Sequence, residues 1–118
     1  MTQDEEIRQL AGEISGSQKI LTAMGDEMRQ HLILVMMTSG DCSGMRVNDI
    51  AAKTSLSTPA VSHHLQILKD AGLVKMRREG TKNYYYFNED TGALDGLIRM
   101  LEHARNLMRA LPDRSGYD

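Results

Sequence analysis

Polar side chains capable of hydrogen bonding recur along residues 58–69, in a stretch whose apolar residues keep helical spacing. Val61, Leu65 and Leu68 fall three or four residues apart and therefore share one face of a predicted helix. The opposite face carries Ser62, His63, Gln66 and Lys69. Such side chains bind base edges and phosphates in a DNA major groove. Taken alone, however, these residues fit an ordinary amphipathic helix equally well.

Residues 47–72 are predicted to form a helix-turn-helix, because helical spacing of apolar residues resumes on both sides of a polar break at 54–58. The second of the two helices, the recognition helix, has a well-marked start. Ser57 or Thr58 can accept hydrogen bonds from its first free amides, and Pro59 suits its opening turn.

The pattern changes from helical to alternating over residues 73–88, which predicts two strands joined by a tight turn. Gly80 can adopt the positive φ that such a turn requires. Three basic residues crowd the tip of this hairpin: Arg77, Arg78 and Lys82. A basic β-wing beside the recognition helix favours DNA as the partner.

Charge is partitioned along the chain. The net charge of −2 and the pI near 6.1 by themselves argue against a nucleic-acid partner. Between Lys53 and Phe87, however, six lysine and arginine residues stand against two acidic residues, a local balance of +4. This partition is expected when one face meets phosphate and the remainder keeps the protein soluble.

Length and composition limit the remaining possibilities. The 118 residues fit one domain, 1–118, and the 41% of hydrophobic residues predict a folded, soluble protein. No apolar run approaches the roughly 20 residues that span a membrane, and the acidic start is unlike a signal peptide. The single cysteine, Cys42, agrees with a reducing compartment, so we expect a cytoplasmic location. The sequence lacks catalytic and phosphate-binding motifs, so we expect that the protein is not an enzyme and binds no cofactor.

Helical segments flank the central motif. Residues 1–24 predict a first helix that is loosened near 15–17, and the apolar run within 27–38 predicts a helix buried on nearly all sides. The wide apolar stripe of a last helix, 91–111, together with the first helix, predicts a dimer interface, and 112–118 is expected to be a flexible tail. The fold prediction is mainly α with a small β-hairpin: a winged helix-turn-helix of about five helices and a two-stranded wing.

With these elements in place, the sequence resembles the ArsR/SmtB family of bacterial winged-helix repressors. Residues 21–29 (LTAMGDEMR) are similar to the family's LKALGDPTR. The other matching segments, in the family's order and spacing, are SHHL at 62–65, AGLV at 71–74, RREG at 77–80 and the tyrosines at 84–86.

The resemblance implies a homodimeric repressor that binds double-stranded DNA at an imperfect palindromic operator. It also implies release by a ligand or redox signal, which the sequence does not identify. Carried over position by position, the DNA-binding residues are Ser57, Thr58, Ser62, His63, Gln66, Lys69, Arg77, Arg78 and Lys82. His64 borders the buried face of the recognition helix and is not included.

The family's metal sites are not matched. Residues 46–48 (RVN) stand where its thiolate site has Cys-x-Cys, and Leu97 replaces a histidine of its second site. The remaining candidate metal ligands are Asp95, Glu102 and His103. Glu102 and His103 are adjacent and point about 100° apart, which favours solvated polar residues on an amphipathic helix.

Two further interpretations stay open. Cys42 is a candidate redox sensor, although the neighbouring Asp41 disfavours the reactive thiolate and an inert thiol is favoured. The acidic pI also fits a winged-helix protein-interaction or adaptor module without specific DNA binding. Such a surface would more often present apolar or aromatic anchors than the polar face of the recognition helix.

Overall fold

The computed structural model describes residues 1–40, 43–112 and 115–116. Over these residues the helices are α1 (Gln3–Gly16), α2 (Gln18–Met24), α3 (Glu27–Ser39), α4 (Val47–Ala52), α5 (Thr58–Asp70) and α6 (Gly92–Ala110). The strands are β1 (Met45–Arg46), β2 (Val74–Glu79) and β3 (Lys82–Phe87), which form an antiparallel sheet in the order β1-β3-β2. The predicted winged helix-turn-helix is confirmed, with one more helix and one more strand than expected. None of these helices is long and apolar enough to cross a membrane.

The additional helix arises from a break at Ser17, which separates α1 from α2. The Ser17 hydroxyl donates a hydrogen bond to the Glu13 carbonyl at 2.8 Å. A serine that bonds to the carbonyl four residues back bends a helix, and the adjacent Gly16 has low helix propensity. The loosening predicted near residues 15–17 is therefore a division between two helices.

The additional strand, β1, has only two residues, which is too short to show alternation in a sequence. Met45 lies opposite Tyr85 of β3, and Arg46 lies opposite Tyr84. Gly44 permits this approach: its φ is +112°, and a Cβ at this position would lie 3.2 Å from the Cβ of Tyr84. A larger residue would therefore be both strained and crowded.

The recognition helix α5 lies at the centre of the hydrophobic core, where it packs against α2, α3, α4 and β2. Its apolar face is fully buried, as the periodicity predicts. The largest fully buried side chains are Leu32, Ile50, Val61, Leu65, Leu68 and Val74. Each such side chain contributes about 1.5–3 kcal/mol when it leaves water, so the core holds α5 with one face outward.

Helix α3 is only half buried, and the prediction of burial on nearly all sides is wrong. Leu32 is 0% exposed, but Leu34 is 60% exposed and Met37 is 61% exposed. A continuous apolar run places apolar side chains on every face of the helix, whereas the neighbouring elements of this small domain pack against only one face. The opposite face of α3 leaves apolar side chains in contact with solvent.

Helix α1 and residues 100–110 of α6 extend from the core as a two-helix arm. Helix α1 has no buried residue, and Met100 and Leu107 of α6 are buried outside the core cluster. The chain measures 62 × 29 × 23 Å and has a radius of gyration of 18.5 Å, against roughly 13 Å for a compact chain of this length. Exposed apolar residues on α1 and α6 are Ile7, Ile14, Ile98, Leu101 and Met108.

Candidate nucleic-acid interface

Side-chain hydrogen bonds fix the start of the recognition helix. Ser57 caps α5, and its hydroxyl accepts a hydrogen bond from the N–H of Ala60 at 3.3 Å. Pro59 occupies the first turn, as predicted. The Thr58 hydroxyl donates to Oδ1 of Asn48 at 3.5 Å, which connects α5 to α4. Ser57 and Thr58 therefore lie where the two helices of the motif meet.

The outward face of α5 presents the four predicted polar residues to solvent: Ser62, His63, Gln66 and Lys69. Nε2 of Gln66 donates to Oδ1 of Asp70 at 2.9 Å, which leaves its carbonyl oxygen available as an acceptor. The Lys69 ammonium forms no ion pair within the described part of the chain. This face therefore offers donors, acceptors and a positive charge to a partner.

His64 faces the protein instead, where it contacts the buried side chain of Arg29. Nη1 of Arg29 lies 3.3 Å from Nδ1 of His64. Because a guanidinium has no acceptor, Nδ1 of His64 accepts this hydrogen bond. Arg29 also donates from Nε to the Ala23 carbonyl at 3.0 Å and from Nη2 to the Thr22 carbonyl at 2.8 Å. We call these contacts the Arg29 network.

The Arg29 network joins three helices. The two carbonyls lie in the last turn of α2, where a helix leaves its carbonyls without intrahelical partners. Arg29 lies in the first turn of α3 and is 8% exposed, and His64 belongs to α5. One side chain therefore ends α2 and fixes the position of the recognition helix against α3. The sequence did not predict this role for Arg29.

Asp26 supports the same junction as the cap of α3. Its Oδ1 accepts a hydrogen bond from the N–H of Arg29 at 3.0 Å, and its Oδ2 lies 3.9 Å from Nη1 of the same residue. That backbone N–H, followed by the charge of the guanidinium, holds the pKa of Asp26 below its ordinary value. The carboxylate therefore stabilises the start of α3 in its ionised form.

Two of the three predicted wing cations reach solvent at the hairpin tip. Arg78 is exposed and donates from Nε to the Gly80 carbonyl at 3.0 Å. Lys82 is exposed and has no ion pair among the residues described. Gly80 has a φ of +62°, as the predicted tight turn requires. The tip therefore carries positive charge that is accessible to a partner.

Arg77, the third predicted wing cation, is occupied by contacts within the protein. It donates from Nε to Glu79 at 2.9 Å and from Nη1 to the Ser43 carbonyl. Its guanidinium lies 4.9 Å from the ring centroid of Tyr84 and 5.8 Å from that of Tyr86. These are cation–π distances. The side chain therefore fastens the wing to the loop before β1.

Lys75 is also paired with an acidic residue, so fewer cations are available to a partner than the count of charges in the sequence suggests. Its ammonium lies 2.9 Å from Oε1 of Glu89. This hydrogen bond and the attraction of the opposite charges raise the pKa of Lys75 and lower that of Glu89. The cations that lack an acidic partner are therefore a subset of those counted in the sequence.

The candidate sensor residues do not converge. Oδ2 of Asp95 accepts a hydrogen bond from the Thr91 hydroxyl at 3.0 Å, and Glu102 is exposed. Nδ1 of His103 lies 2.5 Å from Oε1 of Glu13, which links α6 to α1. Across the described ranges, no three histidine, cysteine or acidic side chains are grouped for a metal ion. Cys42 and tail residues 113–114 and 117–118 lie outside those ranges.

Comparison with known proteins identifies the family. The model for bacterial regulatory proteins of the arsR family matches residues 30–76. An uncharacterized HTH-type transcriptional regulator of Methanocaldococcus jannaschii is 39% identical over 72 residues, which cover 61% of this chain and 78% of that protein. The chain belongs to the ArsR family. A second relative, a transcriptional repressor SmtB homolog of Synechocystis, is 31% identical over 115 residues, which cover 92% of this chain and 75% of the relative.

Solved structures of ArsR regulators share the fold. An ArsR-like transcriptional regulator from Rhodococcus matches with a TM-score of 0.69 at 20% identity, over 84% of this chain and 85% of that one. This likeness concerns the fold alone. Membership of the ArsR family makes the chain a transcriptional regulator and not an enzyme.

Proposed function

We propose that this ArsR-family chain is a dimeric, sequence-specific DNA-binding repressor that a chemical signal releases from its operator. The observation that carries this proposal is the geometry of α5. Its apolar face is fully buried, its start is capped, and its outward face is polar and positively charged. A helix held in this way can enter a major groove without exposing apolar surface. Such a repressor acts on chromosomal DNA, in agreement with the expected cytoplasmic location.

The arm supports dimerisation. Exposed apolar side chains on α1 and α6 would be covered by a second copy of the chain. A closed two-fold arrangement would bury these side chains of both copies in a single interface. We therefore assign the apolar faces of the helices in residues 1–24 and 91–111 to dimerisation. Two-fold symmetry presents two recognition helices to half-sites about one helical turn of DNA apart, so the operator is expected to be an imperfect palindrome.

The proposed DNA contacts divide into two kinds. Ser62, His63 and Gln66 face outward from the middle of α5 and are assigned to base edges. Residues assigned to phosphates and sugars are Ser57, Thr58, Lys69, Arg78 and Lys82. Arg77 belonged to the DNA-binding set expected from the sequence, and its contacts with Glu79, Ser43 and Tyr84 favour a supporting role instead.

A fluorescence anisotropy titration tests the proposal. Wild-type protein would be titrated against labelled duplex from the region upstream of its own gene and against scrambled duplex of equal length. Specific binding is expected to be at least about 10³-fold tighter than binding to scrambled DNA at physiological salt. Equal affinity for the two duplexes would contradict sequence-specific binding.

Two substitutions separate base recognition from phosphate binding. Gln66→Ala is expected to reduce the preference for the operator by removing a base contact worth about 1–3 kcal/mol. Arg78→Ala is expected to weaken binding to both duplexes and to lower the salt dependence of affinity by about one phosphate contact per protomer. Arg99→Ala, on the exposed polar side of α6, is the matched control. If Arg78→Ala changed only sequence preference, the phosphate assignment would be wrong.

The release signal would be sought by repeating the titration with zinc(II), nickel(II), copper(I), arsenite and a thiol oxidant. Loss of operator binding with one of them would identify the sensing chemistry, and indifference to all would favour an organic ligand or no ligand.

The acidic pI favours a second candidate, a winged-helix adaptor that binds a protein. The outward face of α5 bears no phenylalanine, tyrosine, tryptophan or large apolar anchor, which argues for DNA.

A further inference from the structure

An open groove lies between the hairpin tip and the start of α4, beside the recognition helix. It has a volume of about 150 Å³ and is lined by Arg46, Val47, Asn48, Thr81, Lys82 and Asn83. Five of these six residues have polar or cationic side chains that can donate hydrogen bonds to an anion. They come from two separate parts of the chain, which the pairing of β1 with β3 brings together.

Strand register places two cations on the same side of this groove. Arg46 lies directly opposite Tyr84, and Lys82 precedes Tyr84 by two residues on β3. Residues directly opposite each other, and residues two apart on one strand, share a face of a sheet. Arg46 and Lys82 are therefore diagonal neighbours, a relation that separates Cβ atoms by roughly 7–8 Å. One phosphate group fits between two cationic side chains at this spacing.

Unlike Lys75 and Arg77, these two cations form no ion pair with the described acidic residues. Lys75 pairs with Glu89, and Arg77 pairs with Glu79. Neither Arg46 nor Lys82 has an ion pair or a side-chain hydrogen bond in the described part of the chain. Glu79 lies directly opposite Lys82 on β2, but its carboxylate is paired with Arg77. An anion bound between Arg46 and Lys82 would supply the counter-charge that these two side chains lack.

The groove also connects to the recognition helix. Oδ1 of Asn48 accepts the hydrogen bond from Thr58 at the start of α5. Its amide nitrogen is therefore the group that remains to donate toward the groove. An anion held there would touch residues from β1, α4 and the wing while lying beside the first turn of α5.

We propose that the Arg46–Lys82 groove binds one backbone phosphate of the DNA duplex and thereby fixes the wing relative to the recognition helix. The inference deepens the proposed function and rests on it. Arg46 and Lys82 bind the phosphate as cations, and the Asn48 and Asn83 amides supply further donors. Contacts of this kind set the register of a protein on DNA without reading sequence. Arg46 is not among the residues that the sequence predicted.

Salt dependence of DNA binding measures the number of phosphates neutralised, so it tests the groove directly. The slope of log K against log salt is expected to fall in magnitude by about 0.9 for each lost phosphate contact, or about 1.8 for a dimer with two grooves. Between 50 and 200 mM salt, wild-type protein would therefore lose about 12-fold more affinity than Arg46→Gln. Arg46→Lys, which keeps the charge, is expected to restore most of the slope.

Matched variants guard against a loss of folding. Arg99→Gln makes the same change of charge on exposed α6 and should leave the slope as in wild type. Lys82→Gln removes the other cation of the groove without altering β1, so it tests the site even if Arg46→Gln perturbs the strand. Circular dichroism and thermal melting of every variant would accompany the titrations.

Methylphosphonate substitution locates the phosphate on the DNA. Neutralising the phosphates of each half-site one at a time should weaken binding of wild-type protein at several positions, and one of these is the phosphate in the groove. Substitution at that phosphate should have no further effect on Arg46→Gln, because the two changes remove one interaction.

Three outcomes separate the possibilities. A wild-type protein that does not prefer its operator would defeat the proposed function. Normal operator preference with an unchanged slope in both Arg46→Gln and Lys82→Gln would overturn only the groove. Unchanged slopes, together with saturable binding of inorganic phosphate that Arg46→Gln abolishes, would assign the groove to a free anion and also overturn the proposal.

Discussion

Replacing Arg29 with methionine should destabilise the protein far more than its position near the start of a helix suggests. Methionine retains much of the apolar stem but removes the guanidinium. The change leaves the carbonyls of Thr22 and Ala23 and Nδ1 of His64 without their donor. Because Arg29 is 8% exposed, water cannot reach all of these groups to replace the lost bonds.

The expected cost follows from the contacts. Each hydrogen bond from a charged donor contributes about 1.5–3 kcal/mol net, and losing one member of a buried charged network costs about 3–5 kcal/mol. Part of the network is only partly buried, so we expect a loss of about 3 kcal/mol. This is a large share of the 5–15 kcal/mol typical of a domain. It corresponds to a fall in Tm of about 12 °C.

Urea denaturation followed by circular dichroism, at one fixed protein concentration, would measure the loss. Arg29→Lys should give an intermediate value, because an ammonium keeps the charge but cannot reproduce the planar fork of donors. Arg99→Met on exposed α6 is the control and should change stability little. A loss for Arg29→Met below about 1 kcal/mol, or one equal to that of Arg99→Met, would refute the role assigned to the network.

Three further predictions concern the arm, the β1 approach and the α3 cap. Leu101→Glu should weaken self-association at least about 100-fold. Each leucine withdrawn from an interface costs about 1.5–3 kcal/mol, and a two-fold interface contains two copies of Leu101. Analytical ultracentrifugation would measure the change in the dimer dissociation constant. Gly44→Ala should destabilise the protein more than Gly80→Ala in thermal melts, because both glycines have positive φ but only Gly44 is crowded by β3. Asp26→Asn keeps a capping side chain but removes the charge. Since the pKa of Asp26 is lowered in the folded protein, its stabilisation is present above the ordinary aspartate pKa and is lost as pH falls through the folded value. Wild type should therefore exceed Asp26→Asn in stability at neutral pH and match it in acid.

Each of these predictions has an outcome that contradicts it. A Leu101→Glu protein that sediments as a dimer would exclude that face of α6 from the interface. Equal melting temperatures for the two glycine variants would show that β3 shifts at little energetic cost to accommodate a side chain at position 44. A stability difference between wild type and Asp26→Asn that persists unchanged in acid would mean that charge on Asp26 has no part in it.

The recognition helix was predictable because several independent signals agree over one short stretch. Its inward residues recur at helical spacing, Ser57 caps it, and Pro59 follows the cap. None of these signals depends on distant residues. The wing was predictable for the same reason, since alternation and Gly80 are both local.

Features that depend on tertiary contacts were not predictable in this way. Arg29 resembles a surface cation in the sequence, and its burial depends on His64, 35 residues away. Arg77 is held by Ser43, 34 residues away. The prediction for α3 failed in the opposite direction, because it expected buried side chains where the structure has exposed ones. The apolar run indicates burial but does not indicate whether a neighbouring element packs over Leu34. Local pattern predicts which elements form, whereas their surroundings decide which side chains remain free to bind.

The separation of the arm from the recognition helix has a genetic consequence. Under the proposed function, a chain with a defective recognition helix but an intact arm would still pair with normal chains, and the mixed dimers would hold only one half-site of an operator. Losing the second, linked contact removes the gain in avidity that pairing provides. Alleles that damage the outward face of α5 should therefore be dominant over the normal allele when both are expressed. Alleles that damage the exposed apolar face of α6 should be recessive, because their products are left out of the dimers.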